Sequence, residues 1–500
     1  MNAKSSLYII SCAILSTLCA YPVVAQDYET LQIQNIWSQS ANPSASRLFE
    51  SSAAIIESQA DLQSGKYFSP NDASQQWGAG ASAKSIRNLD AFSMQGGFSF
   101  KNTQMYQACG SMSVYPGYFP VDIYEFTPGQ KTLQHYNMYG AIAKDLTQNI
   151  IVGGSLYYDA INYSKRKDLR YTTYYMSMNA DLGIMWHNDS FKAGLSYSYD
   201  RKTQTSTAEV LGISAAVYYA FIDKGDAYGV KDLWDNSSIH LKDSGVNGFP
   251  IKENAHSIGL QAGIGDMLYA DVLLTYKTGQ IGEKQKIWFN YLGYELASSI
   301  VYHLSAEKAN HYIRLQYKLK RQDNIENILE DITQSGITTT YNYGGTQIYS
   351  RQLYIPSLKW TVISNSGLMV ETMLFAMAQN SLSSSVYPYI SSRKLYTYGT
   401  YLRAYYDLGR FRLGTLIMAR NGSYEENDRI VSGSPSTQTK PVRETQYNAQ
   451  MLDYRTSPFV LCMPSVRYTF SKGIYIEYCA GLAYSSGTRQ LHNIKLGYKF

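Results

Sequence analysis

The sequence predicts an all-β chain: a transmembrane, antiparallel, up-and-down β-barrel of about 18 strands (14–20 as the range), with short turns at one end and longer loops at the other. Three observations predict it. Charged residues form only 17% of the 500 residues, well below the roughly 25% of an average soluble domain. Aromatics reach 14%, with 47 Tyr against 16 Phe and 6 Trp. Segments of ten or more residues also alternate between apolar and polar side chains from about residue 52 to the C-terminus. Mean hydropathy is -0.28, and beyond the N-terminus no uncharged apolar run reaches the ~18 residues of a spanning helix, which excludes a helical membrane protein. The aromatic content excludes disorder, and 37 Gly with 13 Pro exclude a collagen-like chain.

The N-terminus reads as an export signal. Lys4 precedes the apolar stretch Leu7 to Leu18, and Val23-Val24-Ala25 supplies compact residues at a cleavage site. Residues 1–25 are therefore predicted to be removed, leaving 500 − 25 = 475 residues. Cys109, Cys462 and Cys479 remain, an odd number with no spacing that identifies a bridge. Residues 26–50 are predicted to stay in the periplasm or insert into the lumen, and residues 51–500 to form the barrel. A formal charge of +5 is too mild to suggest nucleic acid as a partner.

The strands carry the prediction. In Leu491 to Phe500, Ile494, Leu496, Tyr498 and Phe500 share one face, while Asn493, Lys495, Gly497 and Lys499 share the other. Period-two alternation marks a strand between unlike environments. Tyr174 to Trp186, Phe191 to Asp200, His311 to Lys320, Tyr396 to Tyr406 and Ile474 to Tyr484 follow the same rule. Such lengths match the ~9–11 residues that a tilted strand needs to cross a bilayer.

The connections alternate in length. Tight links are predicted at Arg87–Ala91, Lys144–Asn149, His187–Ser190, Gly263–Met267, Ser305–Ala309, Ser364–Gly367, Asp407–Arg410 and Ser471–Gly473. Longer ones are predicted at Gln107–Gln130, Gln204–Asn254, Gln322–Thr346, Ser381–Ser392 and Gly422–Tyr454. Short periplasmic turns and long extracellular loops are the asymmetry of outer-membrane barrels. Within the longer links, Asp323 to Ile332 spaces Ile325, Ile328, Leu329 and Ile332 on one helical face, which predicts a short amphipathic helix over the mouth. Tyr doublets at strand ends (Tyr157-Tyr158, Tyr174-Tyr175, Tyr218-Tyr219, Tyr405-Tyr406) suit an aromatic girdle, since the ring meets acyl chains and the hydroxyl meets water.

The terminal strand Leu496-Gly497-Tyr498-Lys499-Phe500 resembles the C-terminal assembly signal of Gram-negative outer-membrane barrels, with Tyr498 and Phe500 as its aromatics. The mature chain resembles an uncharacterised family of such barrels, in which an N-terminal Trp-Ser and Asn-Pro element precedes the first strand, as Ile36-Trp37-Ser38 and Asn42-Pro43 do here. Ala41 to Ala45 is also similar to the start of the long-chain fatty acid transporter superfamily, with Ser44 where that family more often has Ala. These resemblances imply outer-membrane lipid and the barrel-assembly machinery as partners, and an N-terminus folded into the lumen.

Motifs of catalysis are sparse. The sequence contains no GxxxxGK[ST], HExxH, GxSxG or CxxC, so no cofactor, metal or catalytic residue is assigned. The seven His are scattered, and an outer-membrane hydrolase is the least favoured reading. The inner face is more telling. The alternation turns Lys84, Lys101, Lys192, Arg314, Lys318, Lys320, Lys359, Arg403, Arg412, Arg420, Arg467, Lys495 and Lys499 inward, against fewer acids such as Asp271, Glu295, Glu371 and Glu477. Charges face lipid only at high cost, so a polar interior is required. Arg314, Lys318, Arg403, Arg412, Arg467 and Lys495 are the candidate site residues. They line either an electropositive passage or a set of structural ion-pair rungs.

The sequence therefore points to a non-enzymatic barrel of the cell outer membrane. The first expectation is a passive channel or transporter for small, hydrophobic or anionic solutes. The alternative is a structural barrel whose extracellular loops hold a polysaccharide or a partner protein.

Overall fold

The computed structural model describes residues 28–49, 51–167, 169–209, 218–233, 248–284, 286–386, 388–431, 442–470 and 473–500. The predicted signal peptide, residues 1–25, lies outside them.

One closed antiparallel sheet forms the wall. Its strands are β1 (Ala53–Gly65), β2 (Gln75–Asn88), β3 (Phe92–Ser111), β4 (Asp122–Thr147), β5 (Ile150–Lys165), β6 (Arg170–His187) and β7 (Phe191–Glu209). After two short strands, β8 (Tyr219–Asp223) and β9 (Tyr228–Leu233), come β10 (Phe249–Ile264), β11 (Leu268–Glu283), β12 (Lys286–Ser305), β13 (Ala309–Gln334), β14 (Ile337–Ser364), β15 (Leu368–Val386), β16 (Tyr389–Leu408) and β17 (Phe411–Ile430). The chain ends with β18 (Val442–Arg443), β19 (Phe459–Thr469), β20 (Ile474–Tyr484) and β21 (Thr488–Lys499). Each wall strand pairs with its neighbour, and β1 pairs with β21, from Ile55 opposite Lys499 to Gly65 opposite Arg489. With β8, β9 and β18 set inside the mouth, 18 strands close the barrel, which is the architecture that the alternation predicts. Closure removes the free edges that an open sheet would expose.

The alternation sorts side chains as expected. Leu182, Leu315 and Leu374 are 66%, 51% and 57% exposed on the outer surface, where lipid replaces water. Two of the tyrosine doublets in the wall split between the faces. Tyr174 and Tyr406 are exposed, whereas Tyr175 and Tyr405 are buried inside. Half of each doublet thus serves the lumen, and the girdle uses only the outward member.

All the tight links fall at one end, including the reversal after β19, where the Phe470 amide donates to the Ile474 carbonyl; residues 471–472 of that link lie outside the described residues. The other end departs from expectation. Asp323 to Ile332 is not a helix: it is strand, within the 26-residue β13, which pairs with the 28-residue β14 up to the turn at 335–336. Periodicity on one face is outweighed by a partner strand that pairs with most of the segment, across two register shifts at Asn324/Ile325 and Asn327/Leu329. For the same reason the Gln322–Thr346 and Ser381–Ser392 links are tight hairpins, and Gln107–Gln130 shrinks to the connection between Ser111 and Asp122. Strand pairing continues beyond the membrane because it needs a neighbour, not lipid.

Candidate functional site

The periplasmic half of the lumen is filled by the chain's own N-terminus. A helix over Tyr28–Gln34 leads to Trp37, then to a 3-10 helix over Pro43–Leu48 capped by Asn42. Asn42 Oδ1 accepts from the Ser44 amide at 3.0 Å, a preferred cap for a helix opened by Pro. Its Nδ2 donates to the Ile184 carbonyl and to Gln261 Oε1, each at 3.0 Å. The wall makes room with glycine. A Cβ would lie 2.6 Å from the Ser44 nitrogen at Gly153, 1.9 Å from Asn42 Oδ1 at Gly183, 2.7 Å from Asn42 Nδ2 at Gly194 and 2.6 Å from Trp37 at Gly263. Trp37 packs edge-on against Tyr269 with ring centroids 4.5 Å apart. It is buried with Ile36, Ala45, Ala143, Ile151 and Met185.

Charged groups tether this segment. Arg47 reaches Asp145 at 2.8 Å and Asn88 Oδ1 at 2.5 Å, beside the periplasmic turns. Arg314 donates to Gln39, and Arg403 pairs with Glu29. Two of the basic residues that the sequence singled out therefore hold the N-terminal segment.

The others divide. Arg412 grips Asp407 through two hydrogen bonds of 2.6 and 2.8 Å and lies over the Tyr405 ring. Arg467 pairs with Glu477 at 2.5 Å and lies over Tyr475. Lys495 stands in register with Glu477 and Gln59, and Lys318 with Ala297 and Ile355. Further rungs join Lys359 to Glu371 at 3.2 Å and Glu295 to both Lys277 at 2.7 Å and Lys320 at 3.2 Å. Arg403, Arg412, Arg467 and Lys495 line one chamber of about 680 Å³. Glu29, Asp61, Glu371 and Glu477 line it too, so its positive charge is largely compensated.

The outer mouth is closed by a second set of insertions. The hairpin β8–β9 turns inward and pairs with the start of β4 through Asp122–Asp223, Ile123–Ile222 and Tyr124–Phe221. A helix over Thr445–Thr456 lies against it, with the Tyr447 and Tyr124 rings 4.4 Å apart. Arg393, from the wall, reaches Asp226 at 3.3 Å and Asn448 at 2.7 Å. Together with residues 112–121 these elements form a cap. The sequence signalled it only through loop length, because the residues that build it (Asp122, Asp223, Arg393, Tyr447) stand far apart in the chain and match no motif. Beneath the cap is a second chamber of about 680 Å³.

Burial pushes the Asp122 carboxyl up to about 7 and that of Asp223 up to about 6, despite hydrogen bonds from Ser111 and Tyr124. Both lie outside the bilayer: Asp122 opens the 26-residue β4 at the end far from its periplasmic turn.

At the closing strand the Phe500 amide donates to the Ala54 carbonyl at 2.9 Å, and its ring meets Tyr498 at 4.3 Å. The three described cysteines are free. Among the described residues no three His, Cys, Asp or Glu are grouped to hold a metal ion.

No curated protein matches the chain in sequence. Among solved structures it is similar to the ferric preacinetobactin receptor BauA of Acinetobacter baumannii, with 7% identity over 90% of this chain and 80% of that one and a TM-score of 0.40. The siderophore receptor PirA of the same organism gives 9%, 90%, 80% and 0.39, and the ferric citrate transporter FecA 9%, 89%, 78% and 0.39. No functional conclusion is taken from likeness at this level. The similarity of Ala41 to Ala45 to the fatty acid transporters gains no support from these comparisons. In sequence, residues 45–500 match one family along nearly the whole barrel, and the chain belongs to it: DUF6850, a family of unknown function.

Proposed function

We propose that the protein is a gated passage in the outer membrane of a Gram-negative bacterium, carrying a small polar or anionic solute through a lumen closed at rest at both ends. The observation that carries this reading is the seating of the N-terminal segment on wall glycines, by a capped turn and side-chain contacts. A stopper held this way can leave while every strand pair of the wall stays intact. The two chambers give a solute polar stations on either side of it. An unobstructed passive pore is the less suitable description.

Ser46 Oγ lies 3.2 Å from Ser93 Oγ, one on the segment and one on β3. In a Ser46→Cys/Ser93→Cys double variant, oxidation should block solute entry into liposomes and reduction should restore it. Equal flux in the two states would sink the reading. The rival reading, a barrel whose extracellular face binds a polysaccharide or protein, is favoured by the β13–β14 hairpin. Beyond Glu326 and Tyr349 this hairpin pairs with neither β12 nor β15. That reading predicts no flux in either redox state.

A further inference from the structure

The chamber beneath the cap has an uneven set of charge partners. Among its acids, Glu295 is engaged by Lys277 and Lys320, and Asp226 by Arg393, Ser381 and Tyr349. Burial pushes Asp72, Asp122 and Asp223 up from the ordinary carboxylate range, to about 7 for Asp122 and about 6 for Asp223. Two guanidinia lining the same chamber lack a carboxylate partner among the described residues. Arg351 donates only to neutral oxygens: the Gly117 carbonyl at 2.6 Å, the Tyr118 carbonyl at 3.3 Å and Gln322 Oε1 at 2.9 Å. Arg455, in the last turn of the helix Thr445–Thr456, meets Gln379 Oε1 at 3.2 Å and the Met377 sulfur at 3.9 Å. Burial and the neighbouring charges of Arg351 and Arg393 push its guanidinium down to about 10.

A buried amide adds a second, independent sign. Gln322 is 4% exposed and lines the chamber. Its oxygen is taken by Arg351, which fixes the orientation of the amide and leaves Nε2 with no acceptor. A buried donor without a partner is destabilising, so its retention calls for a ligand or a functional reason. Two like charges held near each other add to the cost. One added group would relieve all three: an oxyanion, which accepts from guanidinium forks and from an amide at once.

We propose that the chamber under the cap is a binding site for the carboxylate or phosphate group of a small solute, held by Arg351, Arg455 and the amide of Gln322. The site names the cargo class of the gated passage and rests on that reading, yet its occupancy is measurable whether or not the solute crosses. The six candidate residues of the electropositive lumen lie elsewhere, and Lys320, which does line this chamber, is already engaged by Glu295. The cap residues Gly117 and Tyr118 hang from Arg351 by their carbonyls, so an anion drawing that guanidinium away would also loosen the cap.

Calorimetric titration of the purified full-length barrel tests the proposal, with glucose 6-phosphate and succinate as anionic probes and glucose and succinamide as neutral counterparts. At least one anion should bind while its neutral counterpart does not. Gln322→Glu keeps the shape of the site and places a carboxylate against Arg351; it should weaken anion binding at least tenfold without altering the heat-modifiable barrel. Arg455→Gln should do the same from the opposite side of the chamber. Equal binding of charged and neutral probes, binding of neither anion, or unchanged anion affinity in Gln322→Glu would overturn the proposal. Anion binding that depends on Gln322, in a barrel that never passes solute, would keep the site and refute the passage.

Discussion

The backbone of Ser44 rests directly on Gly153, so close that a Cβ added to this glycine would lie 2.6 Å from the Ser44 nitrogen and 2.8 Å from the Pro43 carbonyl carbon. Backbone cannot swing aside as a side chain can, so Gly153 sets whether the N-terminal segment can seat. Gly153→Val should expel it while the wall still closes, since overpacking of this kind costs about 1–3 kcal/mol. Trypsin reads the outcome at Arg47, which its contacts with Asp145 and Asn88 protect in the native chain. Cleavage there should rise several-fold, and Gly140→Val, at a glycine where an added Cβ meets no atom within 4 Å, should leave it unchanged.

Asp122 and Asp223 face each other across the β4–β8 ladder, where like charges oppose pairing. Tyr124, Asp226 and Arg393 also surround Asp223. Docking of the cap raises both carboxyls, to about 7 and about 6. The docked hairpin therefore retains protons that a released one gives up near the ordinary value of about 3.9. This contribution to docking is fully present below about pH 4 and is lost as pH rises through about 6 to 7. Hydrogen exchange of Phe221 to Asp223, corrected for intrinsic rates, should show less protection at pH 8 than at pH 5. Asp223→Asn should flatten that dependence, and an unchanged profile would refute this contribution of the two carboxyls to docking.

Arg314 and Leu315 are neighbours on β13 with opposite surroundings. Arg314 is buried against Gln39, and Leu315 is 51% exposed on the outer face. Leu315→Arg should destabilise the barrel by about 2–4 kcal/mol if the site lies near the bilayer midplane, less towards an interface. Arg314→Leu should spare the wall but loosen the N-terminal segment. Urea midpoints for folding into vesicles, read beside trypsin sensitivity at Arg47, separate the two effects.

Deletion of Tyr498 to Phe500 removes both the aromatic pair and the Phe500 amide that binds Ala54. The β1–β21 seam then loses its periplasmic end. Heat-modifiable barrel should fall to a small fraction of the native yield, and a normal yield would remove any role for this terminus in assembly.

Cysteine labelling fixes the orientation. Substitutions at Asn149 and Ser366, in turns at the end where the N-terminal segment is tethered, should resist an impermeant reagent applied to intact cells. One at Gln334, at the tip of the β13–β14 hairpin, should react. Labelling of both sets would reverse or break the topology.

The sequence by itself determined the wall. Alternation in segments such as Tyr174 to Trp186 and Ile474 to Tyr484 is a local property, because each residue's face follows from its parity and the contrast between lipid and water enforces it. The tight turns were legible for the same reason. Tertiary structure decided how the N-terminal segment seats inside the barrel. Nothing near Gly153, Gly183, Gly194 or Gly263 in the chain announces that they stand beside residues 37–44, since that contact exists only once β5, β6, β7 and β10 curve around a common axis. The charges of the lumen were visible as types but not as pairs: Arg403 finds Glu29, 374 residues away, while Arg351 and Arg455 have no carboxylate partner among the described residues. Asp323 to Ile332 failed as a helix because the partner strand, not the local period, decided its conformation. Parity is written residue by residue, whereas partnership across a closed sheet depends on where the other 17 strands of the 18 have come to rest.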